Sequence, residues 1–300
     1  MKQKTAFNAQ RVFVKKRGIS TFGWILFAAL ALPLASRGAE ALQFVAQGFS
    51  AAEGGAVWRS VRGDATWQSA HLATNGWGAA VARGGAVWFD GGSSGSNGST
   101  GNAGSTGSAV ASPLQFADSA TDDSATNAMR VAKRIFAVVV CAEAADFSTL
   151  IDAPCPVAFE AAALDAAESG VAESVRFFST NLVGHASSLS VNGEAESEFA
   201  LGMSSQLVEA EFDAAAPMSR IFIGGSAAVP SWNQNWRGGI RELIFLPEIP
   251  SEREAQAVRR YLALKHSMRI PTEADGGVAG VLAAMGIDDH GLFSTVILAR

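Results

Sequence analysis

Two short segments place acidic residues at alternate positions, Glu194-Ala195-Glu196-Ser197-Glu198 and Glu209-Ala210-Glu211-Phe212-Asp213. On an extended strand such residues project from one face, spaced by about 6–7 Å. A retaining glycosidase needs a nucleophile and an acid roughly 5 Å apart, and that is the chemistry this pattern would serve. A strand with one solvated face gives the same alternation. Val208, Ala210 and Phe212 between the acids fit that plainer reading. In the first segment only Ala and Ser separate the acids, so its opposite face would bury little.

A third segment has different chemistry. Trp232-Asn233-Gln234-Asn235-Trp236 combines two indoles with three amides. Sugar rings stack on exposed aromatics while amides hydrogen-bond their hydroxyls, so Trp232, Asn233, Gln234 and Asn235 are the candidate ligand-binding residues. The competing role is structural filling at the edge of a β domain. Trp58, Trp67, Trp77 and Trp88 form a second aromatic group that the surrounding sequence does not orient. Asp118, Asp122 and Asp123 come nearest to a calcium loop, but acidic turns explain them as well. Two cysteines and four scattered histidines lack zinc-site spacing. There is no nucleophile triad order, phosphate loop or dinucleotide motif, and no cofactor is expected. Cys141 and Cys155 either pair as a disulfide or remain buried thiols; their spacing alone does not choose.

The elements that must carry these residues read mostly as strands. Arg134–Cys141 is a β-branched apolar run, too short for a confident helix. Thr149–Ile151, Val157–Phe159, Ser174–Phe178, Leu207–Phe212, Arg220–Ile223 and Gly239–Leu246 follow at sandwich-like spacing. Ser188–Val191 runs into Asn192-Gly193, the dipeptide that best suits a type I′ hairpin turn. One helix is expected after Pro250. Ser251-Glu252-Arg253-Glu254 forms a capping box, and Ala255, Val258, Tyr261, Leu262 and Lys265 fall on one face, with Arg259 and Arg260 pointing away. From Phe44 to Phe89 the chain shows short apolar patches rather than helical periodicity, and Val87–Gly91 and Leu114–Phe116 read as short strands on either side of the stretch that follows. The stretch Gly91–Ser108 is almost entirely Gly and Ser and reads as a flexible loop inserted in one domain.

The start of the chain implies export. Lys2, Lys4, Arg11, Lys15, Lys16 and Arg17 precede an apolar run from Phe22 to Leu34, and Ala39-Glu40-Ala41 supplies an A-x-A exit. The apolar run is shorter than the roughly 20 residues of a membrane span. Residues 1–41 are therefore expected to be a signal peptide, with an extracytoplasmic protein and no membrane span after cleavage. Their removal leaves 16 basic and 27 acidic residues, near −11. Such a balance disfavours nucleic acid or anionic lipid as partner.

The C-terminal third resembles bacterial laminin-G-like, concanavalin A-like lectin/glucanase domains. The matching residues are Ile223, Gly224, Gly225, Trp236, Gly238, Ile240, Glu242, Ser251, Glu254, Tyr261, Leu262 and Lys265, with Trp88–Gly91 upstream. The resemblance spans roughly residues 85–268 and is most specific at 220–266. It implies a jelly-roll β-sandwich of two antiparallel sheets with one C-terminal surface helix, over residues 42–270. It also implies a core role for Trp236. The Gly/Ser insertion and Pro250, where Leu is usual, depart from the pattern. Neither acidic segment has the residue order or aliphatic spacers of the family's catalytic strand. The expected function is thus non-catalytic and lectin-like, with carbohydrate or another surface ligand as partner. A structural or adhesion module without a small ligand is the second reading, and a diverged glycoside hydrolase the third. The sequence assigns no role to residues 271–300, where Val278–Met285 could be a helix and Phe293–Leu298 a strand.

Overall fold

The computed structural model describes residues 40–52, 55–69, 80–89, 112–117, 130–142, 148–153, 157–161, 174–179, 186–195, 198–200, 202–225, 236–270 and 277–293. In chain order they form β1 (Leu42–Val45), β2 (Phe49–Ala52), β3 (Gly55–Arg59), β4 (Thr66–Ser69), β5 (Val81–Arg83) and β6 (Ala86–Trp88). Next come β7 (Leu114–Ala117), β8 (Val131–Cys141), β9 (Ser148–Asp152), β10 (Val157–Ala161), β11 (Ser174–Ser179), β12 (Ala186–Val191), β13 (Glu194–Ala195) and β14 (Glu198–Ala200). The remainder is β15 (Ser205–Pro217), β16 (Phe222–Ile223), β17 (Gly238–Leu246), α1 (Glu252–Lys265) and α2 (Val278–Met285).

These strands make two antiparallel sheets, as expected of an all-β sandwich. The first runs β13-β12-β15-β8-β17-β6-β5, with β1 also beside β17; the second runs β14-β11-β10-β9-β16-β7-β4-β3-β2. Their facing surfaces bury one apolar core. Phe44 and Phe245 of the first sheet meet Trp58 and Trp67 of the second, with ring centroids 5.5–6.1 Å apart. The second sheet turns polar outward, where Gln68 and Gln115 are exposed.

The centre of the first sheet is covered on both faces. Ile135, Ala137, Val139 and Cys141 of β8 enter the inter-sheet core. Phe136 and Val138 enter a second core with Leu207, Ile244 and Leu246, beneath Val258, Tyr261 and Leu262 of α1 and Leu282 of α2. A strand buried on both faces has no reason to alternate, and this explains the unbroken apolar run of β8.

Local chemistry sets the element ends. Asn192 (φ 54°) and Gly193 (φ 86°) make the tight β12–β13 turn, as the Asn-Gly pair predicts. Ser251 caps α1 with the reciprocal Glu254 contact of a capping box. Residues 44–85, which showed no clear pattern, hold short strands of three to five residues, and the strands expected at Val87–Gly91 and Leu114–Phe116 are β6 and β7. Trp58 and Trp67 sit opposite each other in β3 and β4 and are fully buried; Trp88 is also buried, on the outer side of β6. They do not form a shared aromatic platform. Trp77, the Gly/Ser segment 91–108 and residues 1–39 lie outside the described residues. The strands on either side of the segment, β6 and β7, belong to one compact unit. Val278–Met285 is indeed a helix and packs beside α1, whereas residues 294–298 are outside the described set.

Candidate functional site

Strand register brings three of the inter-sheet connections, β6–β7, β8–β9 and β16–β17, to one end of the sandwich. Gly238, first in β17, lies opposite Cys141, last in β8, and Gly239 lies opposite Trp88, last in β6. β15 begins at Ser205 opposite Val140. In the second sheet, Ile223 ends β16 opposite Leu114, first in β7, and beside Ile151 of β9. Hydrogen bonds join these ends: Phe89 N–H to Gly238 O at 3.1 Å, Gly202 N–H to Cys141 O at 3.2 Å and Gly224 N–H to Leu150 O at 2.8 Å.

The candidate ligand-binding segment is attached at this end. Trp232, Asn233, Gln234 and Asn235 lie outside the described residues, but both stems are described. Trp236 N–H donates to Gly224 O at 3.1 Å, so residues 226–235 depart and return at one point. Trp236 itself is buried in the inter-sheet core, the place implied by the resemblance. Gly224 has φ +79°, and a Cβ there would fall 2.1 Å from the Phe89 ring. Only glycine permits that turn and that contact together.

The acidic segments are not brought to this end as a catalytic pair. Glu194 is exposed on β13 of the first sheet, whereas Glu198 belongs to β14 of the second, so the first segment is not one strand. Glu196 and the side chain of Glu198 lie outside the described residues. In β15, Val208, Ala210 and Phe212 face the inter-sheet core and the acids face outward, as the alternation predicts. The outward face is not solvated throughout, however, because α1 lies across it. Glu209 is fully buried between two guanidinium groups: Arg134 Nη2 donates at 2.7 Å, and Arg259 donates through Nε at 2.8 Å and Nη2 at 3.0 Å. Arg134 Nη1 also donates to Glu211 at 2.7 Å, and Arg259 Nη1 to Glu252 at 2.8 Å. Arg259 therefore folds down onto the sheet, contrary to its expected outward direction. A guanidinium presents several donors in a fixed fork: the buried Glu209 carboxylate on the sheet draws it in, and the exposed Glu252 of the same helix takes a further donor. Burial opposes the Arg259 charge, but the Glu209 and Glu252 contacts hold its pKa above the usual value.

Among the described residues, the most heavily partnered carboxylate is one to which the sequence assigned no chemistry. Glu242 projects from β17 into the layer beneath α1 and has no exposed side-chain surface. It accepts from Gln43 Nε2 at 2.7 Å, Tyr261 OH at 2.9 Å and His266 Nε2 at 2.8 Å, with Lys265 Nζ at 2.9 Å. Gln43 also accepts from Asp288 N–H at 2.9 Å, linking β1 to the segment after α2. Burial pushes the Glu242 pKa up; the His266 hydrogen bond, the Lys265 charge and Gln43 outweigh it and hold the carboxyl below its usual range. Burial and the neighbouring Glu242 charge push the Tyr261 hydroxyl up, keeping it a neutral donor. The available sequence signal was a lone acid in the apolar run Ile240–Leu246, with a lone amide in Leu42–Val45.

The remaining candidates separate. Cys141 is a buried free thiol whose pKa burial pushes up, and Cys155 lies outside the described residues, as do Asp118, Asp122 and Asp123. Among the described residues no cluster of His, Cys, Asp and Glu could hold a metal ion. No described helix is long and apolar enough to cross a membrane. A shallow open groove of about 440 Å³ lies between the start of α1 and α2, lined by Arg253, Glu254, Gly280 and Ala284 among others. It is remote in sequence from every candidate segment. Comparison with protein-family models, curated proteins and solved structures finds no match.

Proposed function

We propose that this is an exported, non-catalytic, lectin-like module of the laminin-G-like, jelly-roll type, which binds carbohydrate or another surface ligand through Trp232, Asn233, Gln234 and Asn235. The observation that carries this reading is the stem of that segment. The 3.1 Å bond from Trp236 N–H to Gly224 O fastens a short run of aromatic and amide residues to a rigid sandwich end. Recognition residues on connections held by a stiff scaffold are a recurrent use of β-sandwiches. The non-catalytic part of the reading is supported by β15, where Glu209 and Glu211 are committed to Arg134 and Arg259 rather than to an opening.

A glycan array probed with the wild type and with Trp232→Ala tests the proposal. Binding by the wild type that falls at least about tenfold in the variant is expected for loss of one stacking aromatic. Absence of binding by both proteins, each shown to be folded, sinks the lectin reading and leaves the structural or adhesion role. Hydrolysis of a β-glucan that Glu211→Gln abolishes would instead establish the glycosidase reading.

A further inference from the structure

We infer that export processing leaves Glu40 and Ala41 on the mature protein, so that the leader is cut on the amino-terminal side of Glu40. The inference rests on the proposed export and concerns where the leader ends. Ala39-Glu40-Ala41 is the most obvious small-x-small exit in the sequence, and a cut there would leave Leu42 as the first residue. The fold uses the residues that such a cut removes. Ala41 is 4% exposed and belongs to the outer core with Leu282 and Ile287. Its N–H donates to Met285 O at 3.2 Å. The Glu40 carboxylate pairs with Arg62. Two residues on, Gln43 holds both Glu242 and Asp288.

Cutting after Ala41 would have three consequences. The Ala41 methyl would leave the outer core, and Met285 O would lose its donor. An α-ammonium would also appear on Leu42, a residue only 8% exposed. Buried charge without a partner is costly, and the nearest buried carboxylate in sequence register, Glu242 opposite Val45, already has four partners. Processing precedes folding, so these costs fall on the product rather than on the cleavage step. Ser36-Arg37-Gly38 supplies another small-x-small pattern upstream. Hydrolysis of the Gly38–Ala39 amide adds water's hydroxyl to the Gly38 carbonyl carbon and its proton to the departing Ala39 nitrogen. The new terminus then lies ahead of every contact named above.

The test is to express the full chain in a secreting bacterial host and determine the N-terminus of the extracytoplasmic protein by intact mass. A terminus at or before Glu40 but after the apolar run is the expected result; one at Ala41, Leu42 or beyond overturns the inference. Full-length protein, whether exported or not, also overturns the cut, and full-length protein confined to the cytoplasm overturns the export reading as well. Two variants separate sequence from fold effects. Gly38→Gln should block or move the cut, whereas Ala41→Gln should leave it unchanged; the reverse pattern overturns the inference. As an independent readout, purified chains beginning at Ala39 and at Leu42, released from a removable tag, should differ in Tm by at least about 4 °C, the shorter chain being lower. Equal values would remove the structural basis of the inference.

Discussion

Burial strips water from a carboxylate, and the groups that replace that water decide whether it stays charged. Glu242 receives an ammonium, an imidazole, an amide and a phenol, and Glu209 receives two guanidiniums. Because the Glu242 pKa is lower in the folded chain, the unfolded chain binds the proton more readily. Glu242 therefore contributes stability that is complete above the unfolded value of about 4.3 and is lost as pH falls through the folded value. Urea midpoints measured between pH 7 and pH 3 should fall on acidification, and Glu242→Gln should flatten that fall. At pH 7 the same variant should lose about 3–5 kcal/mol, since it leaves Lys265 facing a neutral group in a buried layer. The two acids of β15 offer a matched comparison. Glu209→Gln strands two partly buried guanidiniums and should cost about 3 kcal/mol or more, whereas Glu211→Gln, at a partly exposed site, should cost under about 1 kcal/mol. Equal losses would show that α1 does not shield Glu209 as described.

At the scale of elements, periodicity was readable wherever one constraint acted and ambiguous wherever two did. The capping box and the apolar face of α1 were legible because the helix has a single buried stripe. Arg259 was misjudged because hydrophobic spacing says nothing of a carboxylate waiting beneath the helix. The strands before β6 were missed because three to five residues give too few repeats for a period to emerge, and glycine and alanine blur the alternation. The role of Glu242 was hidden for another reason: its partners come from β1, about two hundred positions away, and from the end of α1 and His266 just beyond it. Trp236 was legible through the resemblance; the fastening of its loop to Gly224 needed the fold. Two substitutions measure these element ends. Ser251→Ala should cost about 1 kcal/mol by denaturant unfolding, the usual loss for a capping hydroxyl, with the fold kept. Gly224→Ala combines a left-handed backbone with a Cβ inside the fully buried Phe89 ring, and should cost about 3 kcal/mol. A small effect there would mean that the β16 stem yields easily, which would weaken its standing as a rigid base.

Among the described residues the sandwich is layered, with unequal sides. Gln68 and Gln115 of the second sheet meet solvent directly, while the centre of the first sheet lies between the inter-sheet core and a helical layer tied down by buried charge. The Gly/Ser segment 91–108 joins these two sheets, running from the end of β6 to the start of β7. If it is an insertion, removing it should leave the layers intact. Joining Asp90 directly to Ala109 leaves seven residues, 89–90 and 109–113, between the strands. At about 3.3 Å per residue they can cross the roughly 10 Å between packed sheets. Shortening this connection from twenty-five residues to seven reduces the closure entropy by about 1 kcal/mol, so the deleted chain should melt at the same temperature or a few degrees higher. Cooperative unfolding should persist with an unchanged denaturant slope. A lower Tm, or a transition split in two, would show that the segment packs on the sandwich or separates two cores, and the single-domain reading would fall with it.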